Sequence, residues 1–186
     1  MDNRKIAGAL FFAGAAQFLV SMLVAERLYS GYDVSKNVIS DLGTRTNALL
    51  FNSSVVMLGL AVIAAAYFLW RETGDWLVFA VPALAGLGAV GVGVFPQTTG
   101  FLHDVSAFIA FFVGGLAAIG AAFHKLEKPP RSWLSIVFGL VSLAALALFV
   151  SRTYLGLGAG GMERLVAYPV LLWAAAFGWQ LTATKN

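Results

Sequence analysis

The sequence predicts an all-α, polytopic integral membrane protein: a bundle of six transmembrane helices with a short amphipathic helix in the first loop. Three observations carry this reading. Six apolar runs, at 6–29, 48–70, 76–95, 101–123, 133–152 and 162–182, each approach the roughly 20 residues that cross a ~30 Å hydrocarbon core as helix. Hydrophobic residues make up 60% of the chain and charged ones 11%, with mean hydropathy +0.83, whereas soluble domains carry about a quarter charged residues. The third is where the few polar residues gather: residues 31–47, GYDVSKNVISDLGTRTN, lie between the first two runs.

Taken in order, the first run follows Arg4 and Lys5 as a signal peptide would. Its length exceeds the 7–15 residues of a typical signal core, so it is expected as a helix of the mature protein. The connectors 71–75, 96–100, 124–132 and 153–161 are short and hold charges or helix breakers. Pro82 in the third run and Pro169 in the sixth are expected kinks. Ser135, Ser142 and Ser151 interrupt the fifth run, but a serine inside a helix can bond back to the preceding turn. The runs are too uniformly apolar for barrel strands, and helices satisfy their backbone internally. With no long polar segment, a single six-helix transmembrane domain spans 1–186.

The chain has no cysteine, which excludes disulfides, thiolate metal sites and cysteine nucleophiles. Its formal charge of +3 would suggest nucleic acid in a soluble chain. Here the basic residues flank helices, so membrane topology explains them and no nucleic-acid partner is expected. With the N-terminus cytoplasmic, Arg4, Lys5, Arg71, Lys125, Lys128, Arg131 and Lys185 lie inside, against Arg27, Lys36, Arg45, Arg152 and Arg164 outside. The excess favours both termini in the cytoplasm of a multi-pass cell-membrane protein.

An even number of spans brings the first, third and fifth loops to one side. These loops and the adjoining helix ends hold Glu26, Asp33, Lys36, Asn37, Ser40, Asp41, His103, Asp104, Arg152, Glu163 and Arg164. Ionisable groups at membrane depth are costly and usually face the bundle interior, so a shared polar basin is expected, as are Glu–Arg pairs among its members. Asp33 can cap a short helix with Val34, Val38, Ile39 and Leu42 on one face, Asn37 and Asp41 on another, and Gly43 as terminator. Such a helix would seal the bundle or contribute to a site.

Other signals are weaker. Gly156, Gly158 and Gly161 match G-x-G-x-x-G, but the dinucleotide fingerprint needs a preceding strand, so a hinge or a close backbone approach is expected instead. The start of the sixth helix could hold an anion. Zinc on His103, Asp104, Asp41 and Glu26 or Glu163 lacks diagnostic spacing. Ser35 or Ser40 with His103 and an aspartate supplies the groups of a serine mechanism without fixing their geometry. No metal or cofactor is expected, haem included, because the two histidines fall on opposite sides. Gly86, Gly88, Gly91, Gly93, Gly114 and Gly115 mark close helix packing, and Gly/Ala-rich faces are also surfaces on which copies could assemble.

The chain resembles an uncharacterised family of prokaryotic six-helix membrane proteins, domain of unknown function nine-nine-eight. The resemblance rests on GYDVSKNVISDLG at 31–43, Phe51-Asn52, GVFP at 93–96 followed by His103, and Glu163-Arg164 with Tyr168-Pro169. It implies fold and membrane location, without an activity. More distantly, Ile39-Ser40-Asp41-Leu42-Gly43 looks like the I-S-D-x-G stretch of the Frag1/DRAM/Sfk1 group, whose members act in lipid remodelling and autophagy. That likeness implies work on lipids.

The expected function is therefore lipid-associated. Asp41, His103 and Asp104 would carry any acyl or phosphoester chemistry, Arg152 and Arg164 would hold an anionic group, and Asn37, Ser40 and Glu163 would complete the ligand contacts. Membrane lipids are the expected partners. The alternatives are a small transporter or channel, for which Gln17, Asn52, Ser53 and Ser142 are the polar supply at mid-helix, and a non-catalytic scaffold subunit.

Overall fold

A computed structural model describes residues 2–45, 47–124, 126 and 130–183. Lys125, Lys128 and Lys185, three of the basic residues expected on the N-terminal side, lie outside them. The six runs form α1 (Asn3–Leu28), α2 (Ala48–Thr73), α3 (Trp76–Val94), α4 (Phe101–Phe123), α5 (Arg131–Val150) and α6 (Gly158–Ala183). All six are long and apolar enough to cross a membrane. Their outer faces carry large exposed apolar side chains, among them Leu23, Leu60, Leu87, Phe112, Leu140 and Leu172. An aqueous solvent would penalise that surface and hydrocarbon does not. The protein is a multi-pass membrane protein.

Local chemistry sets the helix ends. Asp2 caps α1 by accepting from the Lys5 N–H at 2.7 Å, and Asp75 caps α3 by accepting from Leu77 N–H at 2.9 Å. Gly74 ends α2 in the left-handed conformation, φ 70°.

Each helix packs on its neighbour in sequence, and α1 closes on α6. Small residues let backbones approach at these crossings. A Cβ on Gly59 would stand 2.5 Å from the Gly86 oxygen, and one on Gly8 would stand 2.6 Å from that of Gly178. α4 and α6 also touch directly, with Gly114 facing Val170. The inner ring therefore consists of α1, α2, α3, α4 and α6. α5 lies outside it as a buttress, with Ala145 and Leu146 packed against Met162 and Val166. Ser142 Oγ donates to the Val166 carbonyl and Trp173 Nε1 donates to Ser135 Oγ.

One end of the bundle gathers the first, third and fifth loops. Ser35 Oγ donates to the Leu157 carbonyl, and the Ser35 carbonyl accepts from Gly160 N–H at 2.9 Å. The short 3-10 helix Gln97–Thr99 of the third loop packs against the first loop. At the opposite end, Arg4 donates to the Leu126 carbonyl and His124 meets Asp75 at 2.7 Å.

The short helix of the first loop is present, but as five residues of 3-10 helix, Ile39–Gly43, rather than a helix running from Asp33. Asp33 caps a turn instead, its carboxylate accepting from the N–H groups of Ser35 and Lys36. Val38 is extended, φ −70° and ψ 157°. The break has a cause in α6: the Ile39 N–H donates to the Glu163 carboxylate, not to a carbonyl one turn back.

Candidate functional site

The inner ring encloses a cavity of about 120 Å³. Phe18, Phe51, Leu58, Val92, Phe111 and Leu171 are among the apolar side chains that line it. Polar side chains enter at one end: Ser40 from the 3-10 helix, His103 from the first turn of α4 and Glu163 from the first turns of α6. All three residues are buried. Toward the other end the lining is Phe11, Val62, Pro82, Ala117 and Trp173.

Each polar group has a defined setting. His103 Nδ1 lies 2.8 Å from the Phe95 carbonyl, an oxygen that can only accept, so Nδ1 carries a proton. In the neutral ring Nε2 is then an acceptor. Neither Nε2 nor Ser40 Oγ has a hydrogen-bond partner among the described residues, and both residues line the cavity. Glu163 accepts from Ile39 N–H, and the adjoining Ser40 N–H also bonds its carboxylate. One side chain from α6 thus fixes the part of the first loop that closes the cavity.

Arg164, the next residue, faces the other way. Its Nη2 donates to Glu26 Oε1 at 2.5 Å and to the Tyr32 hydroxyl at 2.7 Å. Its Nη1 donates to the carbonyls of Gly160, Val34 and Asn37 at 3.0–3.2 Å. Both Nη atoms of this guanidinium are engaged in stapling the first loop to α1 and α6, while its Nε is buried without a hydrogen-bond partner among the described residues. The group has no free fork to offer an anionic headgroup, the role the sequence suggested. The expected Glu–Arg pairing is present as Arg164–Glu26.

Tyr32 completes the staple by donating from its hydroxyl to the Val38 carbonyl at 3.0 Å. Burial pushes its phenol up to about 12. Asp33, at the rim, is held below the usual carboxylate range by the Lys36 ammonium, 3.2 Å away, and by the Ser35 N–H. Sequence reading missed Tyr32. The available signal was a polar-tipped aromatic in a loop that must be tied down.

The remaining expected residues divide. Asn37 and Asp41 bond each other, Nδ2 to Oδ2 at 2.9 Å, half-buried on the loop and outside the cavity lining. Asp104 is exposed, on the face of α4 shared with Phe101 and Phe108. The histidine beside it is buried, so the two do not face the same cavity. Arg152 is exposed, with φ 58°, in the turn after α5. Ser35 is tied to Leu157, leaving Ser40 as the serine that shares a cavity with His103. No cluster of three metal-ligating side chains occurs among the described residues.

The glycines before α6 have a packing reason. A Cβ on Gly160 would overlap the carbonyl oxygens of Asn37 and Val34, and one on Gly158 would overlap Ser35. Gly158 also needs its positive φ, 75°. The first loop lies directly on the start of α6, so the close backbone approach is the correct one of the two expectations. Asn52 plays a similar part on α2, donating to the Gly43 carbonyl at 3.1 Å.

No curated protein and no solved structure matches this chain. Residues 12–180 match a family, a span that takes in part or all of each of the six helices and holds Ser40, His103 and Glu163. The chain belongs to that family, described as protein of unknown function (DUF998).

Proposed function

We propose that this protein binds a lipid-like amphipath inside the helix bundle, with the apolar part along the cavity and the polar end at Ser40, His103 and Glu163. One observation carries the reading. Ser40 Oγ and His103 Nε2, beside Glu163, line the polar end of a largely apolar, membrane-embedded cavity with no partner among the described residues. Polar groups left without partners in such a place are costly, and a ligand that bonds them removes the cost. The reading places the protein in the cell membrane with both termini cytoplasmic and the polar end of the cavity toward the outer face. Any group-transfer chemistry would centre on Ser40 and His103 rather than on Asp104.

The test is to purify the protein in nanodiscs and identify co-purifying lipids by mass spectrometry, beside a folded Ser40→Val/His103→Leu variant. An amphipath enriched over bulk lipid in the parent and depleted in the variant supports the reading. Equal lipid content in the two overturns it.

A second reading, movement of the amphipath across the bundle, is favoured by a second cavity of about 110 Å³ that continues from the first. The two share Phe11, Pro82, Ala117 and Trp173, and the second reaches His124 and Leu126 near the opposite end. Reconstituted liposomes test it: Trp173→Ala should speed the transfer of a labelled amphipath between leaflets. No transfer by either protein overturns this second reading.

A further inference from the structure

The character of the cavity's polar end selects among amphipaths. We infer that the ligand is a single-chain amphipath with a neutral, hydroxyl-bearing head, of the long-chain alcohol type, and not an anionic phospholipid or phosphate ester. This rests on the amphipath-binding reading above and deepens it.

The first argument is charge. Among the described residues no lysine or arginine lines the cavity. The guanidinium of Arg164, the residue after Glu163, is held by Glu26, Tyr32 and three backbone carbonyls, and Arg152 is exposed in the turn after α5. An anionic head would enter a low-dielectric site with no lysine or arginine to neutralise it and with the Glu163 carboxyl group beside it. Desolvating an uncompensated charge is strongly unfavourable.

The second argument is hydrogen-bond polarity. His103 donates from Nδ1 to Phe95 and presents Nε2 as an acceptor, and the Glu163 carboxylate is an acceptor apart from its backbone donors. Ser40 Oγ can donate or accept. A hydroxyl head donates once, to Nε2 or to the carboxylate, and accepts once, from Ser40. A phosphate monoester dianion can only accept and would leave Nε2 of the neutral ring unmet.

The third argument is shape. The cavity runs from Glu163 to Trp173 along α6, ten residues or about 15 Å of helix. Its volume of about 120 Å³ is small beside the roughly 300–1,000 Å³ of pockets that enclose bulky ligands. One extended chain suits it and a two-chain lipid does not.

The experiment uses the intact protein in phosphatidylcholine nanodiscs, because single-chain detergents would compete for the cavity. Two photoreactive probes share one twelve-carbon diazirine chain, one ending in a primary hydroxyl and the other in a phosphate monoester. Labelled residues are mapped by mass spectrometry, with dodecan-1-ol as competitor. The alcohol should label cavity residues such as Phe111 and Leu171 at least about tenfold more than the phosphate, equivalent to ~1.4 kcal/mol, and His103→Leu should erase the preference. Equal or stronger labelling by the phosphate overturns the head-group inference and leaves the amphipath reading standing. Labelling by neither probe at the cavity overturns both.

Discussion

Arg164, in the second turn of α6, and Glu26, near the end of α1, meet at 2.5 Å and join the last helix to the first. Their side chains are 7% and 14% exposed, so neither charge is well solvated. The same guanidinium holds three carbonyls and the Tyr32 hydroxyl, which makes it the organiser of the first loop. Glu163 beside it, pointing into the ring, fixes the 3-10 helix. Two consecutive residues of α6 therefore position one loop from opposite sides.

Arg164→Ala should be strongly destabilising. It leaves the half-buried Glu26 carboxylate unpaired, where breaking a fully buried pair costs about 3–5 kcal/mol, and frees three carbonyls as well. Arg152→Ala, at an exposed position, should change stability by less than about 0.5 kcal/mol. Thermal unfolding in nanodiscs compares the two. Similar midpoints for both variants would remove Arg164 from its stapling role.

Gly160→Ala and Gly120→Ala form a second contrast. At Gly160 a methyl group collides with the Asn37 and Val34 carbonyls, whereas at Gly120 it meets nothing within 4 Å. Overpacking costs typically about 1–3 kcal/mol, while alanine improves a helix interior by roughly 0.5–1 kcal/mol. Gly160→Ala should lower the unfolding midpoint and loosen the first loop, and Gly120→Ala should hold or raise it. Limited proteolysis of the first loop reads the loosening directly. A loop equally protected in both variants counts against the close approach.

The six spans were legible because hydrocarbon thickness imposes a length that each apolar run meets. The convergence of the odd loops followed from an even span count. The form of the first loop was not legible. Asp33 and the apolar spacing after it argue for one helix, but the N–H of Ile39 is claimed by Glu163, 124 residues away, a contact that local pattern cannot contain. His103 and Asp104 were grouped with Asp41 as one chemical cluster, yet neighbours on a helix point about 100° apart. A readable signal separates them: His103 shares a stripe with Ala107, Ala110, Gly114 and Ala117, all lining the cavity, whereas Asp104 shares one with exposed Phe108 and Phe112. Small residues mark the face turned toward neighbours, and large aromatics mark the face turned to lipid.

That stripe yields a third test. His103→Ala should abolish saturable binding of a long-chain alcohol, and Asp104→Asn should leave it unchanged, with both proteins folded by circular dichroism. Loss of binding in Asp104→Asn with His103→Ala intact would reverse the assignment of faces.

Tyr32 gives a pH dependence with a definite sign. Its pKa rises from 10.0 to about 12 in the folded protein, so the folded state holds this proton more tightly than the unfolded one. The corresponding stability is present below about pH 10 and is lost as pH climbs through about 12. The parent should lose more stability than Tyr32→Phe over that window, since the other tyrosines titrate in both. Parallel decline of the two proteins would show that the phenol is not buried in the staple.

The contact between α1 and α6 also constrains biosynthesis. The first helix and its loop leave the ribosome well before the sixth, and until α6 inserts there is no Arg164 for Glu26, no Glu163 for Ile39 and no closing wall for the ring. The loop must wait, unanchored, through the insertion of four intervening helices. Contacts of such long sequence separation form late. A chain that stops before α6 should thus persist as inserted helices without the finished interior, and completion of the last helix becomes the step at which the membrane-inserted chain turns into the folded protein.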